Sequence, residues 1–316
     1  MEDFFSATGA LRGNQGKWIL NGAFYKADEY GYEAAAEYLT TEILRQSNMT
    51  DYAPYVIVPH GYSQAGIAKN CCMSPDFLAL NPGCRELTLY EFLQSHLSEE
   101  QLEGLMEPHS KFHARHSLAE TIAPVVELVE SKTGLSDFGG YITAIMELDA
   151  LTRNDDRHIN NISLLQLPNG LWKTAPVFDN ASGFGARDKD PTIGSVHGIT
   201  VPWLFNEARY YKVGARPFSS SFEKQVKACR QLYGSRLQIK EDIDLTEAFA
   251  RITETYGKAI AERMESVWNI SKAKYSDLFV PRVTKRAYAN DSVLTPSEEW
   301  AREHFNEIMM MQRDFL

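Results

Sequence analysis

The sequence predicts an α+β fold with two lobes, in which a small lobe with an antiparallel sheet and one helix precedes a larger, mainly helical lobe. The sheet is indicated by a hairpin signal at Asn21-Gly22 and by strand-like segments over 54–59 and 65–73, with Gly61 in the turn between them. The second lobe is indicated by the pattern after residue 81, where apolar residues recur with the period of an α-helix.

The change from strand-rich to helix-rich sequence also sets the predicted lobe boundary. Residues 1–80 are assigned to the N-terminal lobe and residues 81–316 to the C-terminal lobe, with a hinge at 72–77. One helix is expected in the first lobe, from about Tyr32 to Ser47. The second lobe is expected to contain helices over 88–96, 98–106, 117–132, 139–152, 221–234, 244–268 and 295–312. Pro124 is expected to bend or restart the third of these.

The composition excludes several classes of protein. Hydrophobic residues make up 44% of the chain and charged residues 23%, as in ordinary globular proteins, so disorder is not the default. The net charge of −10 argues against sequence-independent binding to nucleic acid, which needs clustered Lys and Arg. No apolar run reaches the length of a membrane span, and the first residues lack the basic region of a signal peptide. We therefore expect no direct nucleic-acid partner and no membrane partner.

The cysteines and histidines give no strong metal or disulfide signal. The four cysteines contain no Cys-x-x-Cys pair, which favours a reducing, cytoplasmic setting. His109, His113 and His116 have the spacing of one helical face. Spacing alone is a weak metal motif, and a surface turn is the better interpretation.

The turn at Asn21-Gly22 fixes the register of the first hairpin. Asn-Gly is typical of a two-residue type I′ turn, because both central residues take positive φ. This turn places Lys17 directly opposite Lys26 on one face of the sheet. Like charges in such a position repel each other, so we expect an anion to relieve the pair. Replacing Lys26 is then expected to leave the empty protein at least as stable. Two solvated lysines at the open end of a hairpin are the simpler alternative.

A glycine-rich segment, Gly13-Asn14-Gln15-Gly16, lies just before this hairpin. Glycines let the backbone approach phosphates closely, and successive N–H groups form sites for anions. A single glycine-rich turn is weak support for a phosphate site. The interpretation as a phosphate site is supported further by Lys17, which directly follows the segment.

The strongest pattern lies between residues 153 and 180, where three oxygen-bearing side chains follow a helix that is apolar on most sides. Asp156 can accept a proton from an attacking hydroxyl, and Asn161 and Asp179 offer the oxygen ligands that Mg²⁺ prefers. Protein kinases place H-R-D-x-x-x-x-N and then D-F-G in this way. Here His158 follows the first Asp, and Phe-Asp-Asn replaces D-F-G. A polar turn between a helix and a hairpin is the alternative interpretation.

The sequence Asp-Arg-His-x-x-Asn at 156–161, followed by Pro-x-Phe-Asp-Asn at 176–180, resembles the HipA-like kinase family, including its compact CtkA-like members. The resemblance is sharpest over 153–180 and extends more weakly to 9–47, where Gly-x-Gln-x-Lys resembles the family's phosphate loop. It implies a bilobal protein-kinase-like fold and a serine/threonine protein kinase that uses ATP and Mg²⁺. The family's regulatory serine matches Ala10, so an autophosphorylation switch at that position is in doubt.

The resemblance also implies a role for each matching residue. Asp156, Lys26 and Glu37 are assigned to catalysis, and Asn161 and Asp179 to the metal. Nucleotide binding is assigned to Gly13, Asn14, Gln15, Gly16, Lys17, Lys26, Met73 and His158.

Several of these assignments have alternatives. The base of the nucleotide is expected near Met73 and the hinge backbone, unless this segment is an edge strand that ends at Pro75. For His158, a structural hydrogen bond to backbone or to Asp179 is favoured over a chemical role. Arg153 and Arg157 can each pair with phosphate or with a local carboxylate.

Two glutamates compete as the partner of Lys26. The family pattern points to Glu37, whereas a helical-wheel projection puts Glu37 away from the apolar stripe and Glu42 beside it. Three alanines in the stripe leave its centre uncertain, so Glu37 is favoured narrowly. A solvated helix face is the alternative for either residue.

Two other functions are carried as alternatives. Phosphatidylinositol kinases share a related D-R-H-x-x-N loop, so a lipid or small-molecule kinase is possible, although the acidic composition argues mildly against it. A nucleotide-binding pseudokinase that acts as an interaction partner is the second alternative, and the intact Asp156, Asn161 and Asp179 argue against it. Many HipA-like proteins pair with a DNA-binding antitoxin, so the resemblance allows an antitoxin-like partner besides the protein substrate.

Overall fold

The computed structural model describes residues 16–29, 31–64, 67–106, 117–186, 210 and 213–286. The predicted phosphate-loop residues Gly13, Asn14 and Gln15 lie outside these ranges, as do Ala10, the three histidines and the helix expected over 295–312.

A four-stranded antiparallel sheet opens the described chain, with strand order β1-β2-β4-β3. Its strands are β1 (Lys17–Leu20), β2 (Ala23–Ala27), β3 (Val56–Gln64) and β4 (Ile67–Pro75). Asn21 and Gly22 have φ values of 51° and 75°, as a type I′ turn requires. Lys17 lies opposite Lys26 and Trp18 opposite Tyr25, so the predicted register is confirmed.

The two faces of this sheet have different surroundings, because side chains alternate along each strand. On one face Trp18 stacks against Tyr25 and Tyr62, with ring centroids 5.2 Å and 5.1 Å apart. Met73 is paired with Tyr25 in the register and is fully buried in the same cluster. Lys26 belongs to the opposite face, which points towards the first helix.

The β3–β4 hairpin differs from the prediction at Gly61. This glycine does not form the turn but lies within β3, where the register with β4 shifts between Val58 and Tyr62. A Cβ atom at position 61 would lie 2.3 Å from Cys71 Sγ. Gly61 therefore allows the close approach of β3 and β4. Strand β3 continues beyond this glycine to Gln64.

Helix α1 (Glu33–Arg45) confirms the helix predicted from about Tyr32 to Ser47. Ala35, Ala36, Leu39 and Ile43 are fully buried and belong to the main hydrophobic core. That core extends through the helices that follow, so α1 packs on both the sheet and the helical region. The short alanine side chains let the helix approach closely, which brings its polar groups next to β2.

The rest of the described chain is mainly helical. The helices are α2 (Phe77–Leu80), α3 (Leu89–Gln94), α4 (Glu99–Met106), α5 (Leu118–Thr133), α6 (Phe138–Thr152), α7 (Phe222–Tyr233), α8 (Thr246–Tyr256) and α9 (Lys258–Lys274). A three-stranded sheet has the order β5-β6-β7, and a parallel pair consists of β8 and β9. These strands are β5 (Arg85–Thr88), β6 (Ser163–Gln166), β7 (Trp172–Thr174), β8 (Ile239–Lys240) and β9 (Phe279–Val280). The predicted α+β class, a small antiparallel sheet region followed by a helical region, is confirmed.

Helix α6 is the central element of the helical region, and all fifteen of its residues are buried. It also carries two carboxylates, Glu147 and Asp149, with no solvent exposure. Glu147 accepts hydrogen bonds from Arg230, Ser235 and two backbone N–H groups. Buried charges of this kind are kept in the fold by such partners. The helix ends at Arg153, whose φ of 59° turns the chain into the segment with Asp156.

The structure differs from or adds to the predicted elements at three places. The helix expected over 244–268 is two helices, because Gly257 has a φ of 85° that ends α8 and starts α9. Helix α5 continues through Pro124 without a restart, held at its start by a capping box between Ser117 and Glu120. Strand β5 was not expected. No helix within the described ranges combines the length and the apolar character needed to cross a membrane.

Candidate active site

Lys26 lies at the centre of the candidate site and has only 2% of its surface exposed. Its Nζ donates to Glu37 Oε1 at 2.6 Å and to Asp179 Oδ1 at 2.9 Å, and lies 5.1 Å from the centroid of the Tyr55 ring. Burial by itself lowers the pKa of Lys26, but the two carboxylates outweigh it and raise that pKa well above its ordinary value. The side chain is therefore a buried, permanently charged ammonium.

Glu37 on α1 links this lysine to the chain beyond β7. The side chain is fully buried, and Oε2 accepts a hydrogen bond of 2.9 Å from the backbone N–H of Asn180. Glu42 instead pairs with Arg45 on the same helix. Lys26 thus pairs with Glu37, the residue that the helical wheel disfavoured. The wheel was wrong because Glu37 is buried among charged partners from β2 and from 179–180, rather than along the apolar stripe.

Asp179 is held beside Lys26 by the backbone that precedes it. Val177 exchanges backbone hydrogen bonds with Asp51 and Ala53, and Asp179 itself has a φ of 60°. Burial raises the pKa of the Asp179 carboxyl, yet Lys26 and Lys17 together hold it well below its ordinary value. About one fifth of the side chain is exposed, so part of the ionised carboxylate is open to solvent while one oxygen binds Lys26.

Asp156 and Asn161 lie on one tight loop after α6. A 3₁₀ turn at Ile159–Asn161 brings the Asn161 side chain back, and its Nδ2 donates to the Asp156 carbonyl at 2.9 Å. This bond orients the amide so that Oδ1 is the atom that can face a cation. The Asp156 side chain is 30% exposed, and its Oδ1 lies 3.4 Å from Arg216 Nη1. The candidate base is therefore open to an incoming group.

Arg157 joins this loop to the segment that carries Asp179. Its guanidinium pairs with the carboxylate of Asp149 on α6, and both side chains are completely buried. It also donates to the carbonyls of Asn161 and Phe178 and to Oδ1 of Asn180. The sequence left open whether Arg157 pairs with phosphate or with a local carboxylate, and the structure shows a pair with the carboxylate of Asp149.

Arg153 is likewise held by protein groups. Its guanidinium lies between the rings of Tyr210 and Phe222, 4.3 Å and 4.2 Å from their centroids. Nη2 donates to the Tyr210 carbonyl at 2.7 Å, and Nη1 lies 3.6 Å from a carboxylate oxygen of Glu223. Both arginines of the loop therefore stabilise the fold around the site, rather than lining the site.

Three residues of this network were not predicted from the sequence: Asp149, Asn154 and Asn180. Asn154 Nδ2 donates to Asp149 Oδ1 at 3.0 Å, and so completes the surroundings of that buried carboxylate. Asn180 Oδ1 accepts a hydrogen bond from Arg157, and the Asn180 backbone N–H donates one to Glu37. A signal for Asp149 was present, because a carboxylate in an apolar helix must have a buried partner. Arg157, eight residues after Asp149, was available as this buried partner.

The structure shows how Met73 is oriented. This side chain is fully buried against Tyr25 and Val58, on the sheet face opposite Lys26. A nucleotide base beside Lys26 would therefore meet Met73 only through its backbone. The physical reason is the alternation of β4, because Cys72 faces the side of Lys26 and Met73 must then point away.

His158 lies two residues after the candidate base, and within the described ranges its side chain shows no hydrogen bond to backbone or to Asp179. Its backbone N–H donates to the Asp156 carbonyl at 2.8 Å. Among the described residues its Nδ1 is buried without a hydrogen-bond partner. Burial lowers the pKa of His158, although Asp156 and Asp179 oppose the shift. The ring is thus a neutral imidazole near the loop.

Gly16 and Lys17 form the described part of the predicted phosphate loop. The Gly16 carbonyl accepts a hydrogen bond of 2.8 Å from the Ala27 N–H, which closes the open end of the hairpin. Lys17 is half-buried, and its charge acts on Asp179. Burial lowers the pKa of Lys17, and Lys26 lowers it further while Asp179 opposes the change.

The contacts of Lys26 lead to a different expectation for the stability of a protein without this lysine. Repulsion from Lys17 exists, but Lys26 is bound by two carboxylates, Glu37 and Asp179. Removal of the lysine leaves these two groups close together with no buried cation between them. Removing one partner of a buried ion pair costs far more free energy of folding than an exposed repulsion between two lysines does.

The donor set fits a magnesium ion that also binds phosphate. Within the described parts of the chain no cluster of three or more His, Cys, Asp or Glu side chains has the arrangement of a metal site. Asn161 and Asp179 offer one amide oxygen and one carboxylate, and the lowered pKa keeps that carboxylate ionised. Mg²⁺ is usually held by one or two carboxylates together with waters and substrate phosphates, so two protein ligands are enough.

Comparison with known proteins adds a match of fold. The chain is similar to a solved structure titled "Crystal structure of A Helicobacter pylori proinflammatory kinase CtkA", with a TM-score of 0.55. The two are 14% identical, and the match covers 86% of this chain and 91% of the other. No protein-family model and no curated protein sequence matches the chain. At this identity the likeness concerns the fold alone, and the chain has a kinase-like fold.

Proposed function

We propose that this chain is an ATP-dependent phosphotransferase, and that it is a HipA-like kinase which transfers the γ-phosphate of ATP to a serine or threonine hydroxyl of a protein. The observation that carries the proposal is the buried Lys26 paired with both Glu37 and Asp179. Protein kinases need the same lysine–glutamate pair and the same metal-binding carboxylate to be in place before they act.

A purely structural role explains this arrangement poorly. Burying three charges costs desolvation energy, and a well-packed apolar cluster of the same volume is often at least as stable. Lys26, Glu37 and Asp179 come from three separate elements, and Arg157 joins the segment before Asp179 to the loop that carries Asp156 and Asn161. A group of charges kept at this cost, next to an exposed carboxylate, is typical of a functional site.

The proposed reaction uses groups from both sides of the cleft. Lys26 and Lys17 contact the phosphates of ATP, and Asn161 and Asp179 hold Mg²⁺. When bound, Mg²⁺ neutralises charge on the β- and γ-phosphate oxygens. Asp156 orients the acceptor hydroxyl and accepts its proton as the new oxygen–phosphorus bond forms. The bond from the γ-phosphorus to the bridging oxygen breaks, and ADP leaves with the electron pair. Catalysis then rests on positioning and on charge stabilisation.

The division into lobes belongs to the same proposal. Residues 1–80 are proposed as the nucleotide-binding lobe and residues 81–316 as the catalytic lobe. The single core that runs from α1 into the helical region supports a close contact between them. The D-R-H-x-x-N loop together with Pro-x-Phe-Asp-Asn at 176–180 resembles the HipA-like kinases, which supports a protein hydroxyl as acceptor. The net charge of −10 does not favour an anionic membrane surface.

A binding measurement and a transfer measurement test the proposal together. Calorimetric titration with ATP should give binding that requires Mg²⁺. Purified protein should then transfer label from [γ-³²P]ATP to a dephosphorylated protein such as casein, with phosphoserine or phosphothreonine identified by mass spectrometry. Label in phosphatidylinositol vesicles instead would support the lipid kinase. Nucleotide binding without any transfer would support the pseudokinase, and no nucleotide binding would overturn all three.

A further inference from the structure

Arg216 lies on a loop whose backbone is firmly anchored. The Arg216 carbonyl accepts a hydrogen bond of 2.9 Å from Gln225 Nε2, and Gln225 Oε1 accepts one of 3.0 Å from the Phe218 N–H. Gln225 is completely buried on α7, and Ala215 and Phe218 are buried on either side of Arg216. The loop thus holds its backbone to the helical core and directs one long cationic side chain outwards.

That side chain reaches the candidate base. Arg216 Nη1 lies 3.4 Å from Asp156 Oδ1, while more than half of the arginine side chain stays exposed. The contact is long for a hydrogen bond, and it uses one of the three guanidinium nitrogens. A guanidinium has five N–H donors in a planar fork, so it can touch Asp156 and a second anion at the same time. The fold therefore presents a partly engaged cation at the acceptor side of the site.

The position of the second anion follows from the chemistry of phosphoryl transfer. The acceptor oxygen must lie within about 3 Å of Asp156 and within about 3.5 Å of the phosphorus it attacks. Oxygens of the transferred group thus come within reach of a guanidinium that touches Asp156. Among the described residues, the two arginines of the neighbouring loop, Arg153 and Arg157, are already bound to protein groups. Lys26 and Lys17 belong to the sheet, and Arg216 is the cation that the described part of the chain places at Asp156.

We propose that Arg216 is a catalytic residue that binds the oxygens of the phosphoryl group during transfer. In the empty protein it pairs with Asp156, and in the reacting complex its fork bridges Asp156 and the transferred group. This role rests on the proposed phosphotransferase function and deepens it. Stabilisation of phosphoryl charge by an arginine from the same chain is a known device in nucleotide hydrolases.

An analogue of the transferred group tests the proposal without knowledge of the natural acceptor. Binding of ADP–Mg²⁺ with and without aluminium fluoride is measured by calorimetry for wild type, Arg216→Ala, Arg216→Lys and the control Arg251→Ala. Aluminium fluoride should tighten binding in wild type and in the control. In Arg216→Ala the factor by which aluminium fluoride lowers the Kd should be at least about tenfold smaller than in wild type. The affinity of this variant for ADP–Mg²⁺ alone should stay within about threefold of the wild-type value. Arg216→Lys should be intermediate, since it keeps the charge but not the fork.

Turnover gives a second and independent readout. Arg216→Ala should lower kcat for ATP consumption, with water or casein as acceptor, and leave KM for ATP nearly unchanged. Equal turnover and equal fluoride-dependent tightening in Arg216→Ala and wild type would overturn the proposal. A change confined to KM for casein would also overturn it and would assign Arg216 to acceptor recognition. If wild type itself binds no ADP–Mg²⁺, the proposed function fails first, and this inference fails with it.

Discussion

Arg157 and Asp149 form an ion pair in which neither side chain is exposed, with Nε 3.0 Å from Oδ2. Arg157 directly follows the candidate base, and Asp149 lies on the central helix α6, so the pair ties the catalytic loop to the core. The same guanidinium donates to the carbonyls of Asn161 and Phe178. The backbone at both candidate metal ligands therefore depends on this one arginine.

Replacing Arg157 by Met should lower the free energy of unfolding by about 3–5 kcal/mol, the usual cost of leaving one partner of a buried pair alone. The loss arises because the Asp149 carboxylate stays buried without a cation. Urea denaturation at neutral pH, followed by circular dichroism, measures the change. The matched control is Arg251→Ala, which removes a surface pair with Glu254 and should cost less than about 1 kcal/mol. Equal effects of the two variants would mean that the buried pair does not stabilise the loop.

Replacing Lys26 by Met should both destabilise the protein and remove nucleotide binding. Glu37 and Asp179 then face each other without a buried cation, so the free energy of unfolding should fall by roughly 3 kcal/mol or more. ATP–Mg²⁺ should raise the melting temperature of wild type through binding linkage and leave the variant unchanged. Thermal melts with and without nucleotide measure both effects.

Lys69 supplies the control for this experiment. It pairs with Glu29 at the surface, so Lys69→Met should leave the melting temperature and the nucleotide shift close to those of wild type. An Lys26→Met protein that is as stable as wild type and gains the same shift from ATP–Mg²⁺ would contradict the assignment of Lys26 to the phosphates.

Local patterns were sufficient to predict much of the fold. The register of the first hairpin follows from Asn21-Gly22 alone, because only a few turns accept two residues with positive φ. Helix α1 follows from its apolar period. Gly61 was misplaced, since its role is a contact with Cys71 across the hairpin, and no local pattern encodes that distance. The break at Gly257 was missed because apolar periodicity continues through it from one helix to the next.

Short motifs placed the candidate site, whereas its support was found only in the structure. The motifs around Asp156 and Asp179 gave the candidate base and metal ligands, whereas the contact between Lys26 and Asp179 was not predicted. The contacts of Asn180 with Arg157 and Glu37 join residues 23 and 143 positions apart, which one sequence cannot reveal. The choice between two glutamates on α1 likewise needed the position of β2.

Replacing Asp179 by Asn should remove the Mg²⁺ dependence of ATP binding. Asparagine keeps the size of the side chain but not its charge, so the triphosphate loses its main metal-binding partner on the protein. Because Lys26 and Lys17 keep the pKa of Asp179 low, the wild-type carboxylate is fully ionised at neutral pH. Calorimetric titration of ATP with and without Mg²⁺ measures the difference. Asp242→Asn, at an exposed position, should behave as wild type, and the same Mg²⁺ dependence in Asp179→Asn would refute the metal assignment.

Replacing Asp156 by Asn should separate binding from chemistry. The affinity for ATP–Mg²⁺ should stay within a few-fold, because Asp156 is expected to meet the acceptor rather than the nucleotide. The rate of label transfer should fall by at least about a hundredfold, the usual effect of losing a positioned proton acceptor. Single-turnover transfer from labelled ATP measures the rate. Near-normal transfer in the variant would show that Asp156 is structural.

Asp28 lies at a junction between the sheet and the helical region. Its side chain is 7% exposed, with Oδ1 accepting the Ala34 N–H at the start of α1 and Oδ2 accepting the Tyr256 hydroxyl at the end of α8, each at 2.7 Å. Burial, together with the nearby Glu33, raises the pKa of Asp28 from its ordinary 3.8 to about 8. The folded protein therefore keeps this carboxyl protonated at a pH where the unfolded chain has released the proton.

Stability should therefore respond to pH through Asp28. Between about pH 4 and pH 8 the folded state holds one more proton than the unfolded state, so raising the pH destabilises the fold, by at most roughly 1.4 kcal/mol per pH unit. Asp28→Asn cannot ionise and escapes this loss. Urea denaturation of both proteins across this range should show the free energy of unfolding of Asp28→Asn rising relative to that of wild type as the pH increases. Above about pH 8 the difference should no longer grow. The exposed Asp242→Asn should show no such trend, and a constant difference between Asp28→Asn and wild type would mean that Asp28 ionises normally in the fold.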